Sequence, residues 1–265
     1  MRPRSDRRTA HSGGVPWLSV IVPTLNEEEG IAATLAGAAT AGVEIVVADG
    51  GSEDATVAAA RAYADTIVKT TRGRAAQMNA GATAARGQVL LFLHADTRLP
   101  PGYDAAVRAA LADRAVVGGR FDVELDAPGA AYAWLGTLIS LRSRISKVAT
   151  GDQAIFVRRA VFEHLGGFPP LAIMEDIAFS RGLKRAGRVA CLRARVITSA
   201  RRWQRHGLVR TILRMWVLRL LYYAGAPPAR LHAAYPAHRA TTDSPPQPNT
   251  GRGGGARKDL RNDLS

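Results

Sequence analysis

Residues 18–30 read LSVIVPTLNEEEG, an unbroken apolar run that ends in polar and acidic residues. A run that is apolar throughout, with no alternation, is typical of a strand buried on both faces of a sheet. A predicted helix over 27–41 follows it. A second apolar run, EIVVAD (44–49), is followed in the same way by a predicted helix over 55–64. This order predicts parallel strands joined by helices.

The alternation of apolar runs and Ala-rich stretches continues and becomes less regular after Val116. Further predicted strands are TIVK (66–69), QVLLFLH (88–94), VVGGRFDVEL (116–125), AIFV (154–157) and VACL (189–192). Further predicted helices cover 74–85, 101–112, 131–143, 160–165, a stretch that starts near Glu175, and 208–223. The chain is therefore predicted to be an α/β protein with a mostly parallel twisted sheet flanked by helices.

The composition predicts one globular domain with polar ends. The chain has 265 residues, of which 47% are hydrophobic, and this is enough to bury a full core. Residues 1–16 are Arg-rich and residues 236–265 are rich in Pro, Gly and charge, so we predict that both ends are disordered. Between them we predict an α/β domain over 17–205 and an amphipathic segment over 206–235.

The net charge of +14 is concentrated late in the chain. Residues 177–235 contain 13 Lys and Arg residues and no Asp or Glu. On electrostatic grounds such a segment suits substrate phosphates, anionic lipid headgroups or RNA equally well. No nucleic-acid recognition module accompanies the charge, so nucleic acid is not expected as a partner.

The cysteine content and the lengths of the apolar runs indicate the cellular compartment of the protein. The single cysteine, Cys191, excludes an intramolecular disulfide framework and a Cys-rich metal cluster, as is usual in the reducing cytosol. The basic N-terminus is not followed by an apolar stretch with a cleavage site. The sequence also lacks the run of ~18 apolar residues that a spanning helix needs. We therefore expect a cytoplasmic protein.

Polar residues follow three of the predicted strands at the point where each ends. Asn26 and Glu27 follow the first strand, Asp49 ends the second, and His94 and Asp96 follow the fourth. Because ligands of doubly wound sheets bind at the carboxyl ends of the strands, we expect these side chains around one crevice; helix capping is the alternative.

Asp96 ends an apolar run, where a carboxylate is costly to bury unless a cation accompanies it. Mg²⁺ or Mn²⁺, held by one or two carboxylates and completed by substrate phosphates, would suit this position.

Glu175 and Asp176 precede a predicted helix, where the helix dipole favours anions. A carboxylate placed there is a candidate general base, and capping of the helix is the alternative. Of the two we select Asp176, with Glu175 beside it.

Five motifs, in this order and spacing, resemble family 2 glycosyltransferases of the GT-A fold. They are SVIVPTLNEE (19–28), VVADGGSEDAT (46–56), RGRAAQMNAGATAARGQVLLFLHADTRLP (72–100), TGDQAIFVRRAVFEHLGGFP (150–169) and MEDIAFSRGLKRAG (174–187). They extend over roughly residues 18–205. The HADTRLPPG and SARRW segments are most similar to the subgroup named radical-SAM/selenodomain-associated transferase 2.

The resemblance implies an inverting transferase that takes a sugar from a nucleotide-diphosphate donor and passes it to an acceptor that the motifs do not identify. It implies that Asp96 is the metal ligand of a degenerate Asp-x-Asp motif and that Asp176 is the base. The residues implied to line the nucleotide pocket are Pro23, Asn26, Glu27 and Asp49. Those implied to contact the acceptor or the diphosphate are Gly151, Asp152, Gln153, Arg202 and Trp203.

Arg74 and Asn79 lie in the predicted helix over 74–85. Guanidinium groups suit phosphate, so we include both residues in the donor site; a solvent-facing helix surface is the alternative.

Two positions depart from the usual family pattern. Asp49 is followed by Gly50 where paired aspartates are usual, which leaves the donor base open. His94 replaces the first acid of Asp-x-Asp and either ligates the metal through nitrogen or packs. His206 is a further candidate ligand, with a structural role as the alternative.

Two other functions compete with sugar transfer. Nucleotidyl transfer on a similar fold predicts a Gly-rich loop after the first strand, whereas residues 24–27 contain no glycine. A protein that binds nucleotide sugars without turnover, or a scaffold at a membrane surface, is the non-enzymatic alternative.

The segment 208–223 places arginines among Trp, Tyr and aliphatic residues at helical spacing. It predicts an amphipathic helix that either packs on the sheet domain or lies on anionic lipid, with its aromatic residues at headgroup level.

Overall fold

The computed structural model describes residues 14–233. The disorder predicted for residues 236–265 and for most of 1–16 falls outside this range.

Eight strands form one sheet, and helices cover it. The strands are β1 (Leu18–Thr24), β2 (Val43–Asp49), β3 (Thr66–Lys69), β4 (Val89–Phe92), β5 (Thr97–Arg98), β6 (Val116–Asp126), β7 (Ile155–Arg158) and β8 (Arg188–Ser199). The helices within the described residues are α1 (Ile31–Ala38), α2 (Thr56–Ala60), α3 (Arg74–Ala84), α4 (Tyr103–Leu111), α5 (Ala130–Ser146), α6 (Arg159–His164), α7 (Glu175–Ala186), α8 (Arg201–His206), α9 (Leu208–Tyr223) and α10 (Pro228–Ala233).

The strand order is β3-β2-β1-β4-β7-β6-β8-β5. Strands β3, β2, β1 and β4 are parallel, as the apolar runs predict. β7 is antiparallel to both of its neighbours because the chain enters it from a 3-10 turn, Gly151–Gln153, that lies against His94, just beyond the end of β4. β6 and β8 pair in parallel, and β5 is an antiparallel edge strand. The predicted α/β class is confirmed, with a sheet that is mixed in its second half.

The apolar character of β1 explains its burial on both faces. Val20 and Val22 pack in one core cluster, and Ile21 packs in another on the opposite face of the sheet. All seven residues of β1 are buried, and β2 shows the same pattern.

Several elements differ from their predicted extent, and β8 and α1 are two of them. β8 covers twelve residues where only VACL was predicted, because exposed arginines interrupt the apolar pattern along the rest of the strand. α1 begins at Ile31, four residues later than predicted, because Glu27–Gly30 forms a turn in which the Glu27 carbonyl accepts from the Gly30 amide.

In the part of the chain that the structure describes, no helix combines the length and the apolar character needed to cross a membrane.

Candidate active site

A crevice opens where β1 extends beyond its neighbour β4. The ladder between them ends at the Ile21–Phe92 pair, whereas β1 continues to Thr24. β1 lies between β2 and β4, at the point where the order of the parallel strands reverses. Pro23 is buried at this end of β1. This is the position at which α/β sheets bind their ligands.

The loops after β1 and β2 are joined by hydrogen bonds. The Asn26 amide donates to Ser52 Oγ (3.0 Å), and the Glu53 amide donates to Asn26 Oδ1 (2.9 Å). The Glu27 amide donates to Thr56 Oγ1 (2.7 Å). Asn26 has a φ of 52°, a left-handed conformation that Asn tolerates better than most residues. Asn26 therefore fixes the shape of the crevice wall and does not cap α1, whose N-cap residue is Gly30.

Asp49 and Gln77 stabilise the same crevice wall through hydrogen bonds. The Asp49 carboxylate is buried and accepts from the amides of Gly51 and Ser52. Gln77 Nε2 donates to the carbonyls of Thr24, the last residue of β1, and Ala48, the residue before the end of β2. The sequence pattern did not single out this role of Gln77, since its two partners are distant in sequence.

Glu27 and Asp96 lie close enough to repel each other. Burial is the main cause that raises the pKa of Glu27, and the negative charge of Asp96 raises it further. Arg201 opposes the shift through an ion pair of 3.1 Å between its Nη2 and Glu27 Oε2. The Asp96 carbonyl accepts from the Ser199 amide, and this bond brings the end of β8 and the start of α8 to the crevice. Sequence reasoning did not identify Arg201, because it is separated from Glu27 by 174 positions.

His94 lies on the floor of the crevice. Its Nε2 is buried and has no hydrogen-bond partner within the described residues. A Cβ added to Gly151 would lie 2.4 Å from this nitrogen, so only glycine allows the turn to lie so close. Burial lowers the pKa of His94 well below its usual value, and the charges of Arg74 and Arg202 lower it further. The ring is therefore neutral, with a nitrogen able to accept a hydrogen bond or to ligate a cation.

Asp176 and Glu175 begin α7 in different environments. Asp176 Oδ2 accepts from the Gly151 amide (2.8 Å), and its Oδ1 accepts from the Ile177 amide (2.7 Å). Glu175 is buried and lies 4.0 Å from Arg74 Nη1. Burial is the main cause that raises the pKa of Glu175 to about 7, and Asp176 adds to it.

The residues after β4 and at the start of α7 line one cavity. His94, Gly151, Glu175 and Asp176 line it together with an apolar wall. That wall consists of Met78, Phe92, Ile155 and Phe168. The charge of Arg74 acts on Glu27, His94 and Glu175, so this side chain lies between Glu27 and the start of α7.

Two predicted contact residues use their polar atoms in bonds within the protein. The Asn79 side chain donates to the Phe168 carbonyl and accepts from the Phe168 amide, so both of its polar groups hold that turn. Gln153 is fully buried, and its amide group bonds to Thr150, Ser143 and the Phe121 carbonyl. Both side chains therefore position the loops through bonds within the protein, and their contact with a ligand stays a prediction.

The remaining predicted residues occupy different surroundings. Asp152 Oδ1 is buried without a hydrogen-bond partner among the described residues. Arg202 faces His94, whereas Trp203 packs in an apolar cluster with Leu135 and Ile212. His206 is exposed at the end of α8. The described residues contain no group of three or more His, Cys, Asp or Glu side chains able to enclose a metal by themselves.

The raised pKa of Glu175 predicts a pH-dependent effect on stability. Its pKa rises from the usual 4.5 to about 7 on folding, so the unfolded chain releases this proton more readily. The stabilising contribution is complete below pH ~4.5 and is lost as the pH rises through ~7, with a total of ~3 kcal/mol. Glu175→Gln is therefore expected to raise the free energy of unfolding at pH 8 more than at pH 5. Urea titrations at the two pH values measure this, and an equal effect at both would contradict the raised pKa.

Comparisons with known proteins agree with this geometry. The model of the family described as "Glycosyl transferase family 2" matches residues 19–165, more than half of the chain. A search of curated proteins found no match. Among solved structures, glucosyl-3-phosphoglycerate synthase from Mycobacterium tuberculosis, in complex with Mn²⁺, UDP and phosphoglyceric acid, is 20% identical with a TM-score of 0.57; the match covers 86% of this chain and 85% of that one. S. aureus TarS 1-349, in complex with UDP-GlcNAc, is 20% identical with a TM-score of 0.52 over 69% of this chain.

The two structural likenesses are those of fold. The matched part of this chain spans only 58% of the S. aureus TarS 1-349 structure. The matched family model covers residues 19–165, which include nearly all of β1 and the strands through β7. The prediction made from the five motifs is confirmed, and the chain belongs to glycosyl transferase family 2.

Proposed function

We propose that this protein transfers a sugar from a nucleotide-diphosphate donor to a hydroxyl acceptor with inversion at the anomeric carbon. The observation that carries the proposal is the single cavity shared by His94 and Asp176, with Arg74 between the donor side and α7. A single displacement needs the base and the leaving group on opposite sides of the sugar. In the proposed arrangement the donor nucleotide lies against the crevice wall at Asn26 and Asp49, and Asp176 at the start of α7 lies on the other side of the sugar.

The donor side suits a nucleotide diphosphate. Pro23, Asn26 and Asp49 bound the space for the nucleoside, and Arg74 is placed to bind phosphate. The mutual repulsion of Asp96 and Glu27 favours a cation between them. Mg²⁺ or Mn²⁺ accepts one or two protein carboxylates and takes its other ligands from phosphate and water, so a larger protein cluster is not required. Bound at Asp96, the cation would offset the charge of the leaving diphosphate.

Asp176 is the proposed general base. Its carboxylate is fixed by the Gly151 and Ile177 amides, which hold it toward the cavity. It takes the proton of the acceptor hydroxyl while that oxygen bonds to the anomeric carbon and the bond to the diphosphate breaks. Gly151, Asp152 and Arg202 border this side of the cavity and are the proposed acceptor or diphosphate contacts.

The stereochemistry tests the proposal. A panel of nucleotide sugars, screened by thermal shift with and without Mn²⁺, identifies the donor, because a ligand that binds only the folded state raises its melting temperature. Proton NMR of the first product formed from that donor then reports its anomeric configuration. We expect inversion; retention would overturn the proposed mechanism, and binding without turnover would favour the non-catalytic alternative. Membership of the radical-SAM/selenodomain-associated subgroup remains a prediction from its two motifs.

We further propose that α5 and α9 dock the protein on anionic lipid. Each helix carries an exposed apolar stripe, with Trp134 (66% exposed) on α5 and Trp216 (64% exposed) on α9. The other members of the stripes are Leu138, Leu141 and Ile145 on α5 and Val209, Leu213, Val217 and Leu220 on α9. The opposite face of α9 packs on the domain through Leu218 and Ile212. Packing on the domain, one of the two predictions for 208–223, involves this face, and the proposed lipid contact involves the exposed face.

The positive charge near these apolar stripes favours anionic lipid as the partner. Residues 177–231 contain no acidic residue, and Arg205 and Arg210 are exposed near the stripe on α9. An apolar surface with aromatic residues and a cationic rim is typical of helices that lie in an anionic membrane interface.

The docking surface predicts a defect in vesicle binding. Trp134→Glu with Trp216→Glu is expected to lower sedimentation with phosphatidylglycerol-containing vesicles by ~10-fold or more, since each buried aromatic side chain contributes ~1.5–3 kcal/mol. Val15→Glu changes an equally exposed apolar residue outside the two helices and serves as the control. Equal sedimentation of the double variant and the wild type would contradict the proposed docking surface.

A further inference from the structure

Two arginines from different helices meet beside the α7 terminus. Arg142 lies in α5 and Arg219 lies in α9. The Nε atom of each is buried and has no hydrogen-bond partner within residues 14–231. Neither arginine belongs to any ion pair between described side chains.

The backbone around them fixes their position. Arg142 Nη2 lies 3.4 Å from Thr150 Oγ1, and Thr150 directly precedes Gly151, whose amide binds Asp176. Leu218, the neighbour of Arg219, is buried against Val148, Met174 and Ile177. Both arginines therefore border the side of the site where the acceptor hydroxyl must approach Asp176.

The two guanidinium groups are close enough to repel each other. Burial is the main cause that lowers the pKa of Arg142 to about 10, and the charge of Arg219 lowers it further, while Asp152, Asp176 and Tyr223 act in the opposite direction. A buried charged donor without a partner destabilises the folded protein. A ligand with an anionic group would relieve both the repulsion and the unmet donors, because guanidinium groups form charge-assisted bonds with phosphate and carboxylate.

Asp152 indicates a second property of the ligand. Its Oδ1 is also buried without a partner in the described part of the chain. A carboxylate in this state accepts a hydrogen from a hydroxyl group. The three side chains together suit a ligand that carries both an anionic group and hydroxyl groups.

We propose that Arg142 and Arg219 bind a phosphate or carboxylate group of the acceptor, and that Asp152 accepts from one of its hydroxyl groups. This inference rests on the proposed function, since it places the acceptor beside Asp176. It specifies the acceptor class as a hydroxyl compound with an anionic group.

Phosphate binding tests the proposal without any donor. Inorganic phosphate is expected to raise the melting temperature of the wild type, and Arg142→Gln and Arg219→Gln are each expected to reduce the shift by at least two thirds. Arg185→Gln, which removes an exposed arginine near the end of α7, is the matched control and should respond as the wild type does. Arg219 lies on a partly exposed helix, so its variant provides a test even if the Arg142 variant fails to fold.

The outcomes separate the possible sites. An absent shift in the wild type, or a shift that Arg74→Gln abolishes while Arg142→Gln and Arg219→Gln retain it, would overturn the proposal. Phosphate binding can fail while the donor is still hydrolysed, so failure here is distinct from failure of the proposed function.

The same variants identify the source of the anion. If glycerol phosphate reproduces the shift and the variants still sediment with phosphatidic acid vesicles, the acceptor is water-soluble. If instead the two variants lose their preference for phosphatidic acid over phosphatidylcholine vesicles, the phosphate belongs to a lipid. Either result supports an anionic acceptor.

Discussion

Asp176→Asn is expected to lower sugar transfer by ~10²-fold or more while donor affinity stays close to that of the wild type. Asn has nearly the same shape, and its oxygen can still accept from the Gly151 amide, as Asp176 Oδ2 does at 2.8 Å. It cannot take a proton from the acceptor hydroxyl. In the proposed arrangement the diphosphate lies on the side of the sugar opposite Asp176, so donor binding does not depend on this proton transfer. Initial rates and donor titrations with the two proteins measure the separation of the two effects.

Glu175→Gln is the comparison variant. Glu175 is buried beside Arg74 and has a pKa of about 7, so its charge is not fixed at neutral pH. We expect its replacement to reduce the rate less than Asp176→Asn does. A larger loss in Glu175→Gln, together with near-normal transfer by Asp176→Asn, would assign the base to Glu175.

Asp96→Asn is expected to abolish the part of donor binding that depends on Mn²⁺. The variant keeps the shape of the side chain but removes the charge that a divalent ion requires, and Glu27 alone is already paired with Arg201. Donor titrations with and without Mn²⁺ should give two different affinities for the wild type and one for the variant. Asp104→Asn, on α4, is the matched control. A variant that still binds donor more tightly with Mn²⁺ would remove Asp96 from the metal site.

The sequence alone predicted the parts of the fold and site that depend on local pattern. The apolar run predicted β1 as a buried strand, and Asn26 and Glu27 follow it in a loop that bonds to the loop after β2, because strand ends in a parallel sheet share one edge. Their contact with a donor stays a prediction. His94 and Asp176 were selected separately, and the structure places both on one cavity.

The parts that the sequence did not reveal depend on contacts between distant segments. Arg201 reaches Glu27 across 174 positions, and Arg219 reaches Arg142 only because α9 folds back on α5. Asn79 and Gln153 matched family motifs, but their side chains bond to neighbouring backbone and hydroxyl groups. A motif identifies the residue type, whereas only the fold shows which groups its polar atoms contact.

The position of Mn²⁺ tests the central claim most directly. Crystals grown with Mn²⁺ and the donor nucleotide would show the ion by its anomalous scattering. The account predicts a peak within coordination distance of the Asp96 carboxylate and of a diphosphate oxygen, with the sugar between that ion and Asp176. A nucleotide bound away from the β1 and β2 loops, or an ion with no contact to Asp96, would contradict it.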